Sequence, residues 1–230
     1  MNDQKLTRRP IQARDTKWAT SIARWLASVG LRPNQISVLS VVFAAAAAGC
    51  LALTITSPTN GKILLFIAAA AGMQLRLLCN LFDGMVAVEG GLKTKSGEIY
   101  NELPDRISDA LVLAGAGYAF PAQDWTRQLG WAAAVLAVIT AYVRTLGAAA
   151  GASQCFLGPM AKQQRMATTT LASLAASGAL LCGKSFAFMA AALLIIIAGC
   201  LVTIARRTRR IIEELQSKPA TSERDGGRPR

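Results

Sequence analysis

The chain has 230 residues, 53% of them hydrophobic and 17% charged, with 25 Lys or Arg against 13 Asp or Glu and a formal net charge of +12. Apolar runs of about 20 residues bounded by charge exclude a disordered or secreted disulfide-rich chain and point to a membrane protein. A basic chain attracts any polyanion, but aromatic residues make up only 6% and no stacking platform or recognition helix stands out, so a nucleic-acid partner is not expected.

Residues 1–15 are polar and basic, and no short apolar segment follows them directly, which speaks against a cleaved leader. From Thr16 to Gly30 the apolar residues Trp18, Ile22, Trp25, Leu26 and Val29 recur at helical spacing, predicting an amphipathic helix lying in the membrane interface. Arg32-Pro33-Asn34-Gln35 then punctuates the chain, since proline is tolerated at a helix start.

Six spans are expected at about 36–56, 62–88, 98–119, 128–150, 165–182 and 185–205. The expected fold is therefore an all-α integral membrane bundle of about six transmembrane helices plus the interfacial helix. Its segments are a cytoplasmic basic stretch at 1–34, a catalytic bundle at 35–206 and a basic, disordered cytoplasmic tail at 207–230. Lys62, Arg127 and Lys184 fall on one side of this arrangement and nearly all other basic residues on the opposite side. The bias predicts that both termini face the cytoplasm, in a bacterial-type inner membrane. Small residues in Gly147-Ala-Ala-Ala-Gly151 and in the alanine-rich first span offer faces for close helix approach, inside the bundle or in a homodimer.

The chain has no histidine, which removes Ser-His-Asp triads and His-based zinc sites. Its five cysteines, Cys50, Cys79, Cys155, Cys182 and Cys200, are scattered and expected to be buried packing residues. Asp, Glu, Lys, Arg and Ser remain to carry chemistry. Asp83, Glu89, Glu98, Glu102, Asp105 and Asp109 crowd the junction of the second and third spans, where acids are costly and signal function. In a helix, Glu98, Asn101, Glu102, Asp105 and Asp109 share one stripe, and Asn80 and Asp83 share a face of the preceding span. Two oxygen-bearing faces of this kind suit a hard divalent cation; the alternative is a structural network in which the acids pair with Arg76 and Arg106. A transporter is disfavoured because the acids cluster at one face rather than along a path.

The string Asn80-x2-Asp83-Gly84-x2-Ala87-Val88-x8-Gly97-x3-Asn101-x3-Asp105 resembles the D-x2-D-G-x2-A-R-x8-G-x3-D-x3-D motif of the CDP-alcohol phosphotransferases. Arg32-Pro33-Asn34-Gln35-Ile36-Ser37 resembles the Pro-Asn opening of that family's first span. Three positions depart: Asn80 and Asn101 stand where the family has Asp, and Val88 where it has Arg.

The resemblance implies a CDP-linked lipid donor such as CDP-diacylglycerol, an alcohol acceptor, release of CMP, and one or two Mg²⁺ or Mn²⁺ ions. It implies Asp83, Asp105, Asn80 and Asn101 as metal ligands, with Glu102 restoring some of the lost charge, and Asp105 also as the catalytic base. Gly84, Ala87 and Gly97 would meet the donor, and Lys93 or Lys95 could replace the missing Arg. Arg144, Lys162 and Arg165 become candidates for an acceptor phosphate, and Asp109 a group that orients Arg106 or a ligand. A non-catalytic member binding lipid or nucleotide is the alternative.

Overall fold

The computed structural model describes residues 16–89 and 97–218. Seven helices follow in chain order: α1 Lys17–Ser28, α2 Pro33–Leu53, α3 Thr59–Glu89, α4 Gly97–Gly117, α5 Asp124–Ala149, α6 Lys162–Leu181 and α7 Phe188–Ser217. No strand occurs among the described residues. Each of the six expected spans corresponds to one of α2 to α7, and short turns at one end place successive helices antiparallel.

Four of these helices, α2, α3, α5 and α7, are long and apolar enough to cross a membrane on their own. The other two expected spans, α4 and α6, carry charges or many Ser and Thr residues. Their polar faces turn inward: Ser108, Asp109, Thr169, Thr170, Ser173 and Ser177 are buried. A helix whose polar side is covered by its neighbours need not be apolar all round to sit in lipid.

The interior is built mainly of small residues, including Ala44, Ala47, Ala69, Ala116, Ala133 and Ala137, with Leu51, Phe66 and Met73 among them. Large apolar side chains face outward instead; Leu64 is 68% and Leu181 71% exposed. That distribution is the one lipid favours, because helices in a bilayer associate through close packing rather than water exclusion. Together with the four long apolar helices it defines a polytopic membrane protein.

Helix α2 begins with Pro33 in its first turn, where the missing N–H costs nothing, and the Arg32 N–H donates to Gln35 Oε1 at 3.0 Å. Helix α1 packs on α3 through Ala19 and Ala23, both fully buried, and through an edge contact of Trp18 with Phe82. Its predicted apolar stripe stays largely open, with Trp18, Ile22, Trp25 and Val29 exposed, as an interfacial helix requires.

The small faces are used in part inside the chain, while a Cβ on Gly49 or Gly151 would have no neighbour within 4 Å. A Cβ on Gly147 would collide with the Ile211 side chain of α7, and one on Gly115 would lie 2.7 Å from the Ala48 backbone of α2. Helix α7 also runs past residue 206, where a disordered tail was expected, through to Ser217. The extension is held because Thr203, Arg207 and Ile211 recur every four residues on one buried face. Residues 219–230 lie outside the described residues, as do 1–15 and 90–96 with Lys93 and Lys95. Of the cysteines, Cys79, Cys155 and Cys200 are buried, whereas Cys182, at the end of α6, is exposed.

Candidate active site

The motif residues gather at the end of the bundle where α3 finishes and α4 starts. Asp83, 5% exposed on α3, accepts from the Ser37 hydroxyl at 2.8 Å and from the Gly84 N–H at 2.5 Å. Ser37 belongs to α2, so the Pro-Asn segment contributes a residue that orients the motif acid. Nothing in the sequence assigned Ser37 that task; its place one helical turn after Pro33 was the available signal.

Asp105 is 4% exposed on α4, directly after Pro104, which cannot supply the N–H of a regular helical bond. Its Oδ2 takes the ammonium of Lys162 at 2.5 Å, with Arg106 at 3.8 Å. Its Oδ1 is buried and accepts no hydrogen bond, although Arg76 stands 3.6 Å away. One turn deeper, Asp109 has both oxygens engaged, with Arg76 at 2.6 Å and Arg165 at 2.5 Å. Asp109 was expected to orient Arg106 or a ligand. In the structure it binds two buried arginines from α3 and α6, locking those helices to α4.

Glu102 was expected to supply charge to a metal, but its oxygens are committed: Oε1 to Arg144 at 2.5 Å and Oε2 to Arg106 at 3.3 Å. Arg165, a candidate for an acceptor phosphate, is 2% exposed and donates to Asp109 and, at 3.0 Å, to the Met160 carbonyl. Burial and these partners keep it from any ligand outside. Arg144 and Lys162 remain partly open, with side-chain exposures of 14% and 25%. Asn80 is half-buried, with Nδ2 buried and unpartnered; Asn101 is exposed at the start of α4. Gly84, Ala87 and Gly97 are half-buried around the same junction, Val88 is exposed, and the side chain of Glu98 lies outside the described residues.

Among the described residues, five cations (Arg76, Arg106, Arg144, Lys162, Arg165) thus face four carboxylates (Asp83, Glu102, Asp105, Asp109). The surplus favours an anionic ligand. Among the described residues no three Asp, Glu or Cys side chains converge as a metal shell. A hard dication of the Mg²⁺ kind nevertheless needs only one or two carboxylates when phosphate and water complete its coordination. Asp83 and the orphaned Oδ1 of Asp105 fit that requirement, and the half-buried Asn80, one turn before Asp83, adds an amide whose Nδ2 has no partner.

A residue missed by sequence reasoning, Arg207, lies in a basic run that reads as a topology signal. It is 5% exposed, and donates to the Leu157 carbonyl at 2.8 Å and the Thr140 carbonyl at 2.7 Å. With Thr203, which accepts from the Met160 N–H at 3.1 Å, it clamps the loop leading into Lys162 onto α7. Gly158, at φ +119°, lets that loop pass against Thr203 without a side chain in the way. The spacing Thr203, Arg207, Ile211 was the signal available.

A helical membrane bundle with carboxylates and cations buried at one end is the class that the fold and site define. No family model matches the chain. It is 35% identical over 96 residues, 42% of its length, to the phosphatidylinositol phosphate synthases of Mycobacterium tuberculosis and Mycobacterium bovis. That match covers 40% of those relatives' length. The fold is shared over nearly the whole chain with crystal structures of the M. tuberculosis phosphatidylinositol phosphate synthase. With CDP-DAG bound, that protein gives a TM-score of 0.70 at 21% identity, covering 91% of this chain and 99% of the other. In complex with manganese and citrate, it gives 0.69 at 21% identity, covering 90% and 93%.

Proposed function

We propose that the protein is a CDP-alcohol phosphotransferase of membrane lipid synthesis, which moves a phosphatidyl group from a CDP-linked lipid such as CDP-diacylglycerol to an alcohol and releases CMP. The observation that carries this reading is the pair Asp83 and Asp105, buried on the successive motif helices α3 and α4, with Lys162 and Arg106 against Asp105. The chain's similarity to the phosphatidylinositol phosphate synthases, and their fold, support it. Its setting is the cytoplasmic face of the membrane, where the basic loops lie.

Asp83, Asp105 and Asn80 would hold Mg²⁺ or Mn²⁺, which as a Lewis acid would neutralise charge on the donor pyrophosphate. The half-buried Gly84, Ala87 and Gly97 line the approach of the donor. Asn101, exposed one turn before Asp105, offers an amide to the nucleotide or to a water of the ion. Asp105, beside the ion, takes the proton of the acceptor hydroxyl. The acceptor oxygen bonds to the phosphorus of the phosphatidyl group as the bond from that phosphorus to the bridging oxygen breaks, and CMP leaves. Arg144 is the acceptor-side cation, held over the Phe156 ring at 5.5 Å. A phosphorylated alcohol is the acceptor best matched to the cation surplus.

The test is CMP release by the detergent-purified protein, with CDP-diacylglycerol, Mg²⁺ or Mn²⁺, and a panel of phosphorylated and neutral alcohols. Saturable, metal-dependent release with a phosphorylated acceptor is expected. Donor binding without release under every acceptor would establish the alternative, a lipid- or nucleotide-binding protein.

A further inference from the structure

The ammonium of Lys162 rests on Asp105 Oδ2 at 2.5 Å, against the acid that lines the proposed centre. This lysine is no loose surface cation. It opens α6 immediately after a loop fixed by Thr203 and Arg207, and the Met160 carbonyl in that loop also receives Arg165. The chain therefore delivers a positive charge to Asp105 from a preorganised helix start. At the same site, Asn80 and Asn101 are neutral, and Glu102 is committed to Arg144 and Arg106, so among the described side chains Asp83 and Asp105 are the carboxylates left for a metal. One dication balances two carboxylates. A second would meet the Lys162 ammonium and, among the described side chains, no further anionic ligand.

We infer that Lys162 is a tethered cation standing where a second metal ion would otherwise bind, so that the site takes a single divalent ion. This rests on the proposed function for the identity of the site, but it concerns metal stoichiometry and can be read without turnover. Lys162 is a positioning residue here: it fixes Asp105 and supplies charge without reacting.

The experiment is Mn²⁺ binding to the full-length protein in detergent, followed by electron paramagnetic resonance of the free ion. The wild type should bind one Mn²⁺ per chain. Lys162→Met should tighten that binding at least tenfold, because a repelling charge is gone, whereas Lys162→Arg should stay within about threefold of the wild type. In the Asn80→Asp/Asn101→Asp background, Lys162→Met should admit a second ion, and restoring Lys162 should expel it.

Two ions in the wild type, no saturable binding there, or unchanged affinity in Lys162→Met would overturn the inference. Lys162→Gln provides a second neutral variant if Lys162→Met does not run as a single species in size-exclusion chromatography. Should Lys162→Met leave Mn²⁺ binding alone and weaken only a phosphorylated acceptor, Lys162 is an acceptor ligand and the inference fails. CMP release measured on the same preparations keeps the two proposals apart: one bound ion with the predicted lysine dependence but no release would sink the function and leave this inference standing.

Discussion

At the end of the bundle where the loops are basic, α3, α4 and α6 are joined through charge: Asp109 bridges Arg76 and Arg165, all three side chains almost completely buried. At the opposite end, α2, α4 and α5 are joined through the absence of side chains. A Cβ on Gly117 would meet the Thr126 carbonyl oxygen at 2.8 Å and the Gly130 backbone at 3.0 Å, and one on Gly130 would meet Gly117 at 2.8 Å. Dispersion between close backbones holds that end, helped by neutral hydrogen bonds such as Phe120 N–H to Thr54 and the Thr126 hydroxyl to the Gly117 carbonyl, with no buried charge among the described residues there. The charged end gives up part of that packing for a centre that can engage an anion. What the contrast teaches is that stability and chemistry are separated along the helix axis, so substitutions at the two ends should fail in different ways.

The largest effect should come at the glycine end. Gly117→Leu requires α4 and α5 to move apart along a backbone contact, and no rotamer avoids this. We expect loss of the folded monodisperse protein in detergent, seen by size-exclusion chromatography. A folded Gly117→Leu protein with normal melting would show that the end is compliant and that the comparison is wrong.

Within the charged end, Asp105 and Asp109 sharpen the contrast, because they lie one turn apart on a single stripe. Asp105→Asn should reduce CMP release by about 10²–10⁴-fold, the usual worth of a positioned base, with a smaller loss of Tm than Asp109→Asn, since Oδ1 makes no hydrogen bond and Lys162, paired with Oδ2, stays partly open. Asp109→Asn should act mainly on stability. It leaves Arg76 and Arg165 buried without their counter-charge, a loss on the order of 3–5 kcal/mol, read as a lower Tm before any kinetic change is measured. Equal loss of Tm in both variants would mean that Asp105 is structural, and the base would have to be sought elsewhere.

Much of this was legible in the sequence because it depends on spacing. Helical periodicity placed Asn80 with Asp83 and Asp105 with Asp109, and apolar runs located six helices with boundaries that differ by a few residues, except at the end of α7. What periodicity could not show was partner choice. Arg76, Arg106, Arg144, Lys162 and Arg165 are equivalent as basic letters, yet burial separates them: Arg165 is sealed against Asp109, while Lys162 stays partly open on Asp105. The alternative in which the acids pair with Arg76 and Arg106 describes real contacts, and it coexists with an Asp105 oxygen left free. Helix α7 was cut short at residue 205 because charge reads as a boundary. In the structure Arg207 is buried by binding two carbonyls, a pairing between residues 50 and 67 positions apart in sequence.

The smallest effect should come from the rim of the clamp on the loop before Lys162. Glu214 accepts from the Ser153 N–H at 2.7 Å and from its hydroxyl at 2.6 Å, and it also meets Lys218, all near the surface. Arg207 holds the same loop from beneath, buried, donating to the Leu157 carbonyl of the loop and to the Thr140 carbonyl of α5. Exposed hydrogen bonds and ion pairs contribute less than about 1 kcal/mol, because water replaces them at little cost. Glu214→Ala should therefore shift Tm slightly and leave the KM for the acceptor unchanged. Arg207→Met keeps the bulk but removes both buried donors, so it should loosen the loop, release Phe156 from under Arg144, the acceptor-side cation, and raise the KM several-fold. If Glu214→Ala raised the KM as much as Arg207→Met, the loop would be set by its surface contacts, and the charged end would owe its order to the rim rather than to buried charge.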